Sequence, residues 1–248
     1  MKNSFDNGTA GQTITVANSA ASGDPFNNAV GTMVYSPVAA HGGLGMEVTA
    51  NASTLSYLGS TNQHSSSFAI RLASTPTANG LFYVARIGDG NSHAFRVLMT
   101  TARRIQLQNN ATATVTPSLS SIALDLNTWY RLEFQCNVPV SGQSSTMAYG
   151  IYTLDGTTPL ASYVNTAWNA GVNTNFHRAQ LGRFSGTSWG TGPYFDDFVY
   201  LDSTTPTGPW TTGTANPWSL WTGSTEVPIT MQGVWTGTAI TPATYTIT

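Results

Sequence analysis

Residues 130–136 read Tyr-Arg-Leu-Glu-Phe-Gln-Cys, and apolar side chains alternate with polar ones along the whole stretch. Alternation with a period of two is typical of a β-strand that buries one face. Tyr130, Leu132, Phe134 and Cys136 are therefore predicted to face a core. Cys136 is the only cysteine of the chain, and this setting favours a buried core thiol over a nucleophile.

The same period recurs along the chain, and no segment keeps the three-and-four spacing of an amphipathic helix. Clear examples lie at 44–48, 68–72, 95–99 and 147–151, separated by turns rich in Gly, Asn, Ser and Pro. Many short strands of this kind indicate a sandwich or a barrel, and their number favours two packed sheets. We therefore expect an all-β fold, a two-sheet antiparallel sandwich.

The composition excludes several classes of partner. Only 8% of the residues are charged and the net charge is -2, with Lys2 as the single lysine, so no dense basic face for nucleic acid is expected. No apolar run approaches the ~18 residues of a membrane span, and no signal peptide is recognised at the N-terminus, so neither membrane insertion nor export by that route is expected. A surface with few charges suits packing against other protein subunits. A neutral, Ser/Thr-coated secreted domain is the alternative.

Three short motifs occur in a fixed order: Ala-His-Gly-Gly at 40–43, Asn-Thr-Trp-Tyr-Arg-Leu-Glu at 127–133 and Tyr-Phe-Asp-Asp-Phe-Val at 194–199. Together they resemble concanavalin A-like (laminin G-like) jelly-roll domains, especially those of minor tail proteins of phages that infect actinobacteria. The resemblance covers about residues 5–203 and implies a jelly-roll sandwich over 1–203. It also implies a virion component whose partners are other virion proteins, copies of itself and a host cell-surface glycan.

The amino-acid composition changes at 204–248, which is rich in Trp, Pro, Thr and Gly. Trp221 and Trp235 each begin the same pattern, Trp-Thr-Gly followed by a proline seven residues after the tryptophan and a threonine two residues later. Such repeats cannot bury a face alone, so we expect a short β/loop extension that docks on the sandwich or on a neighbouring subunit. Trp210, Trp218, Trp221 and Trp235 are its candidate assembly residues. The alternative is a flexible linker and tail.

No catalytic pattern is recognised. Glycoside hydrolases need two carboxylates that flank one bond, and the glucanases of the concanavalin A-like type carry them as Glu-x-Asp-x-x-Glu. Glu47, Glu133 and Glu226 have no acidic partner at that spacing, and the adjacent Asp196 and Asp197 should point to opposite faces of a strand. We therefore expect a non-catalytic virion protein that requires no cofactor. A bacterial carbohydrate-binding module or a polysaccharide-active enzyme on the same fold is the alternative.

Calcium is the one metal ion that the sequence suggests as a ligand. Phe5-Asp6-x-Gly8 at the start and Asp196-Asp197 in the last strand resemble the two ends of many carbohydrate-binding jelly rolls. The resemblance implies that Asp6, Asp196 and Asp197 lie close together and offer the carboxylate oxygens that Ca²⁺ prefers. The alternative is that one aspartate bonds a neighbouring loop and the other is solvated.

Aromatic side chains in loops are the candidates for glycan binding, namely Trp168, Trp189 and Tyr163. Trp189 is flanked by small residues, so its ring is expected to be accessible. The alternative for the two tryptophans is a ring that folds onto the edge of the sandwich.

Deleting residues 204–248 tests the assembly hypothesis. The shortened protein should keep its β-sheet circular dichroism, because the sandwich carries its own core, but it should no longer enter its oligomer or particle. Light scattering and particle incorporation measure the second effect. Unfolding of the shortened protein, or its normal assembly, would contradict the hypothesis.

Overall fold

The computed structural model describes residues 1–41, 43–59, 63–87, 93–109, 119–137, 145–156, 158–168, 176–184 and 189–202. The predicted extension with Trp210, Trp218, Trp221 and Trp235 lies outside these residues. Its role in assembly and the boundary after residue 203 therefore stay predictions.

The described residues form an all-β structure with one short helix, α1 (Val16–Ser19), and a 3-10 turn at Ala20–Ser22. The strands in chain order are β1 (Lys2–Asn3), β2 (Asn28–Val30), β3 (Met33–Ser36), β4 (Gly45–Val48), β5 (Ser53–Tyr57), β6 (Gln63–Arg71), β7 (Gly80–Ile87), β8 (His93–Met99), β9 (Ile105–Asn109), β10 (Trp129–Asn137), β11 (Ser145–Thr153), β12 (Ala161–Trp168), β13 (Phe176–Arg183) and β14 (Tyr194–Asp202).

These strands make two antiparallel sheets, which confirms the predicted fold class. The eight-stranded sheet has the order β12-β11-β10-β6-β14-β4-β3, with β1 paired to β14. The six-stranded sheet has the order β2-β5-β13-β7-β8-β9. Within the described chain, no helix is long and apolar enough to cross a membrane.

The core lies between the sheets and follows from the alternation in the sequence. Tyr130, Leu132 and Phe134 of β10 all belong to it, as the pattern predicts. The Phe134 ring stacks on Tyr83 of the opposite sheet, with ring centroids 5.2 Å apart and planes 9° apart. The prediction for Cys136 concerns a side chain outside those described. The two inner faces thus pack together through aromatic rings, and the other face of each sheet points away from this core.

The prediction that the Trp189 ring is accessible is wrong. The side chain is 1% exposed, and its ring meets Phe82 edge to face at a centroid distance of 6.2 Å. Ser74 Oγ donates a hydrogen bond of 2.8 Å to the Trp189 carbonyl, which holds this part of the chain against the sandwich. The ring therefore fills the core, because its burial removes a large apolar surface from water, and it is no platform for a sugar.

The other two glycan candidates differ from Trp189. Tyr163 is half-buried and packs against the core, where it stacks on Tyr149 with centroids 5.9 Å apart. The side chain of Trp168 lies outside those described, so its role stays a prediction.

The substitution Trp189→Ala should destabilise the fold by about 3–5 kcal/mol, because it leaves a cavity where a large buried ring was. Trp189→Phe is the matched control and should cost less, since it keeps an aromatic contact with Phe82. Urea unfolding of the three proteins measures both effects. Parental stability in Trp189→Ala would show that the ring is not part of the core.

Candidate functional site

A β-bulge in β14 determines where the two adjacent aspartates point. Asp196 pairs with Ala69 and Val199 pairs with Ser67, so β14 spends one residue more than β6 over this interval. Asp197 has a φ of 51°, and Phe195 and Phe198 on either side both enter the core. The two aspartates therefore share the outer face of the eight-stranded sheet. The prediction that they point to opposite faces is wrong, because it assumed an unbroken strand.

The loop before β4 brings His41 onto this bulge. Its Nδ1 lies 2.5 Å from Asp197 Oδ2, and its Nε2 lies 3.0 Å from Asp155 Oδ1 in the turn after β11. The backbone N–H of Ala40 donates to Asp196 Oδ2 at 2.7 Å. The Ala-His-Gly-Gly motif thus ties β14 and the β11–β12 turn to one loop.

Gly43 of the same motif has a steric reason to be glycine. Its φ is +64°, and a Cβ at this position would lie 2.1 Å from the Asp6 carboxylate. Any larger residue would push Asp6 away from the loop. The motif therefore holds the His41 loop against Asp6 as well as against the aspartates of β14.

The charged groups around His41 shift one another's pKa values. The hydrogen bond to Asp197, followed by that to Asp155, raises the pKa of His41 to about 9 against the opposing effect of burial. Burial, and then the neighbouring Asp197, raises the pKa of Asp196 well above its usual value. Burial is also the main reason that the pKa of Asp6 is raised. His41 is thus an imidazolium at neutral pH, which suits a charge clamp and not a general base.

The three aspartates of the calcium prediction do come together, since the charges of Asp6 and Asp197 both act on the carboxyl of Asp196. Their oxygens are already engaged. Asp196 accepts the backbone N–H groups of Ala40 and Asp197, and Asp197 is paired with His41. Among the described residues, no group of three or more His, Cys, Asp or Glu side chains is arranged to hold a metal ion. The arrangement does not fit a calcium ion, whose place as the central cation is taken by His41.

We call His41 and its two carboxylate partners, Asp197 and Asp155, the His41 clamp. The turn that carries Asp155 is also held by Arg131 of β10. Arg131 donates from Nε to Glu133 Oε1 at 2.9 Å, and from Nη1 and Nη2 to the carbonyls of Leu154 and Gly156 at 2.8 and 2.7 Å. The guanidinium also lies 4.6 Å above the Tyr152 ring, and burial is the main cause that raises the pKa of this tyrosine. These charged groups are buried but well paired, so they fix the sheet and the turn.

The strands of the six-stranded sheet differ from those of the eight-stranded sheet in the charged residues that they carry. The strands of the six-stranded sheet carry four arginines, Arg86, Arg96, Arg178 and Arg183, and no aspartate, glutamate or lysine. The strands of the eight-stranded sheet contain five acidic residues, Glu47, Glu133, Asp196, Asp197 and Asp202, and three basic residues, Lys2, Arg71 and Arg131. The carboxylates of the strands are thus confined to one of the two sheets.

A polar row crosses five strands of the six-stranded sheet. Ser56, Gln180, Val84, Arg96 and Gln108 are successive cross-strand neighbours in the ladder. Ala179 and Leu181, which flank Gln180, and Tyr83 and Ala85, which flank Val84, enter the core, so this row lies on the other side of the sheet. Ser56, Val84 and Gln180 of the row are themselves buried. Gln180 Nε2 donates to Ser56 Oγ at 3.0 Å.

Two arginine positions stand directly opposite each other in this sheet, Arg178 of β13 and Arg86 of β7. Like charges in opposed positions destabilise a sheet. The Nε of Arg178 is buried and has no hydrogen-bond partner within the described part of the chain. Burial also lowers the pKa of Arg96. An anion bound at this face would supply the hydrogen bond that Arg178 Nε lacks. We define the Arg face by Ser56, Arg96, Gln108, Arg178 and Gln180.

The sequence prediction missed the Arg face. Its arginines are scattered along the chain and gather only through the strand order, which sets β13 between β5 and β7. The one available signal is the absence of carboxylates from those strands.

Comparison with known proteins identifies the fold. No protein-family model and no curated protein matches the chain. Alginate lyase Aly36B superimposes with a TM-score of 0.58 at 15% identity and covers 82% of this chain and 96% of its own. A marine PL-14 alginate lyase from Aplysia kurodai gives a TM-score of 0.56 at 10% identity, over 82% of this chain and 98% of its own. Trypanosoma rangeli sialidase, with a TM-score of 0.49 at 10% identity over 80% of this chain and 30% of its own, is too distant to carry an argument.

These matches support the β-sandwich, jelly-roll-like part of the resemblance and not its link to phage tails. They also correct the expectation that the chain is not an enzyme. Aly36B and the Aplysia kurodai protein, which superimpose with TM-scores of 0.58 and 0.56, are lyases, so the fold is one that enzymes use. The missing Glu-x-Asp-x-x-Glu pattern speaks only against the glucanase reaction.

The His41 clamp predicts a pH-dependent stability. A pKa raised from 6.5 to about 9 stabilises the fold fully below pH 6.5, and this contribution is lost as the pH rises through about 9. The difference in unfolding free energy between the parent and His41→Gln should therefore be about 1–3 kcal/mol near pH 6 and shrink toward pH 10. Urea titrations at several pH values measure it. A difference that does not change with pH would show that the imidazolium does not clamp the bulge.

Proposed function

We propose that this chain is a carbohydrate-active protein that takes an anionic polysaccharide on its Arg face. One observation carries the proposal: the strands of this sheet bring arginines together with amide and hydroxyl groups and contain no carboxylate. Arginine is the side chain best suited to carboxylate groups, because its planar fork can donate two parallel hydrogen bonds.

The shape of the polar row suits a chain-like ligand. Five strands at a spacing of about 4.8 Å give the row a length of about 19 Å, which is enough for a short run of sugar rings. The row contains one arginine, Arg96, with the amide of Gln108 directly beside it, and Arg178 lies two residues before Gln180 on β13. Amide groups hydrogen-bond sugar hydroxyls, whereas the guanidinium groups take the charged substituents.

The similarity to alginate lyases indicates which chemistry this face could serve. Alginate is a polymer of uronic acids, in which each sugar bears a carboxylate. A lyase transfers the proton next to that carboxylate to a base, the bond to the leaving sugar oxygen breaks, that oxygen takes up a proton from an acid or from water, and a carbon–carbon double bond forms in the uronate ring. An arginine that neutralises the carboxylate makes this proton more acidic. Arg96 and Arg178 are the candidates for that role.

The phage setting is a separate proposal. It is supported by the three motifs at 40–43, 127–133 and 194–199 and by the tryptophan repeat at 204–248. In that setting the sandwich would face a host cell-surface glycan and the extension would join other virion proteins or copies of the chain. The loss of assembly on deletion of 204–248 is its test.

Affinity electrophoresis in gels that contain alginate, polygalacturonate or a neutral glucan tests the proposed function. We expect anionic polymers to retard the protein, the neutral polymer not to, and salt to weaken the effect. Arg178→Gln should weaken binding about tenfold, since a charge-assisted hydrogen bond is lost. Arg71→Gln, on the other sheet, is the matched control and should bind like the parent.

Ultraviolet absorbance of unsaturated uronate products measures cleavage of the same polymers. Retardation by an anionic polysaccharide, with or without such products, supports the proposal. Equal retardation by DNA would show a general polyanion surface and would contradict it, as would binding that Arg178→Gln leaves unchanged.

A further inference from the structure

The outer face of the eight-stranded sheet is buried at both ends of its central strands. Where β14 begins, the His41 loop and the turn after β11 lie over this face and bond Asp196 and Arg131. Where β14 ends, five residues of the sheet are at most 7% exposed, namely Ser65, Ser67, Gln135, Ala148 and Val199. We call these five residues the exit patch, because β14 leaves the sheet beside them.

Strand pairing places the whole exit patch on one face. Gln135 pairs with Ser65 on one side and with Ala148 on the other, and Ser67 pairs with Val199. Direct cross-strand neighbours point to the same face of a sheet, and so do residues two apart on one strand. The two residues that flank Ala148 enter the core, so the exit patch points away from the core.

No helix or strand among the described residues covers the exit patch. The larger contacts between described elements are those of paired strands within one sheet and that of α1 with the 3-10 turn. Ser65, Ser67 and Ala148 have short side chains, which cannot shield one another from water on an open sheet face. Their burial therefore indicates that a further segment of the chain lies over the patch.

The chain brings one long segment to this place. Leu201 of β14 pairs with Ser65, and β14 ends one residue later at Asp202. Residues 203–248 therefore leave the sheet directly beside the exit patch. Trp210 follows Asp202 by eight residues, a reach of up to about 26 Å, whereas Ala148 lies three strand spacings from β14, or about 14 Å.

The exit patch and the start of this segment match in chemistry. The patch has only Ser, Gln, Ala and Val side chains, and residues 203–221 contain no charged side chain. Neither surface has to lose a hydrated charge when the two meet. Short side chains leave a flat surface on which an indole ring can lie, and burial of that ring removes a large apolar area from water.

We infer that residues 203–218 fold back over the outer face of the eight-stranded sheet and place the Trp210 ring on the exit patch of the same chain. This contact is independent of the proposed function of the Arg face. It leaves the repeat that begins at Trp221 and Trp235 for contacts with other subunits.

Thiol labelling in the full chain tests the inference. Ser65→Cys, in a Cys136→Ala background, puts a single thiol of nearly unchanged size in the exit patch. This thiol should react slowly with an aromatic disulfide reagent, and Trp210→Ser should raise the rate at least about tenfold, because the ring no longer holds the segment in place. Circular dichroism checks that each variant is folded.

Two controls make the comparison specific. Ser162→Cys lies on β12, where its position pairs with Gly150, and is exposed, so its thiol should react fast with or without Trp210. Trp235→Ser changes a tryptophan of the repeat and should leave the Ser65→Cys thiol protected. Ser67→Cys takes the place of Ser65→Cys if that variant does not fold.

Three results would overturn the inference. A fast reaction of the Ser65→Cys thiol in the chain with all its tryptophans would show that the patch is open. An unchanged slow rate in Trp210→Ser would show that another segment covers it. Protection that is lost on dilution would show that the cover comes from a second copy of the chain.

Discussion

An antiparallel sandwich has only two outer faces, and this chain distributes its strand carboxylates unequally between the two sheets. The carboxylates of the strands all belong to the eight-stranded sheet, whereas the six-stranded sheet has arginines and no acidic residue in its strands. With so few charges in the whole sequence, this division decides which ligands each face can accept. A sheet whose strands carry arginines and no carboxylate is the better candidate for a polyanion.

Charged groups of the eight-stranded sheet pair with other groups of the protein. The bulge at Asp197 turns two carboxylates to the same side, and His41 supplies the positive charge between Asp197 and Asp155. Arg131 does the same for Glu133 and for two carbonyls of the adjoining turn. These groups hydrogen-bond one another and thereby hold the loop before β4 and the turn after β11 against the sheet. On the Arg face, Arg178 Nε and Gln180 Oε1 are buried without a hydrogen-bond partner among the described residues.

Sequence reasoning could predict the parts of the structure that depend on local pattern. The alternation through β10 predicted a strand and its core face, and resemblance at the two chain ends predicted that Asp6 lies near the aspartate pair. It failed at the bulge, because register depends on the partner strand β6 and not on β14 alone. It failed at Trp189 because small flanking residues say nothing about which surface a loop folds against.

The Arg face shows why the candidate site was the hardest part to predict. Gln180 and Ser56 are hydrogen-bonded but lie 124 positions apart, and neither belongs to a recognisable motif. Only the strand order makes them neighbours. A composition that looks unremarkable along the chain therefore becomes a polar, positively charged row once the sheet is assembled.

Hydrogen–deuterium exchange with and without an anionic oligosaccharide, such as a short oligomer of alginate, tests the division of faces most directly. The ligand should slow exchange in β13, β7 and β8, whose backbones underlie the Arg face, and should leave β10, β11 and β14 unchanged. Protection confined to β10, β11 and β14, or no protection at all at saturating oligosaccharide, would contradict the assignment of the Arg face as the glycan site.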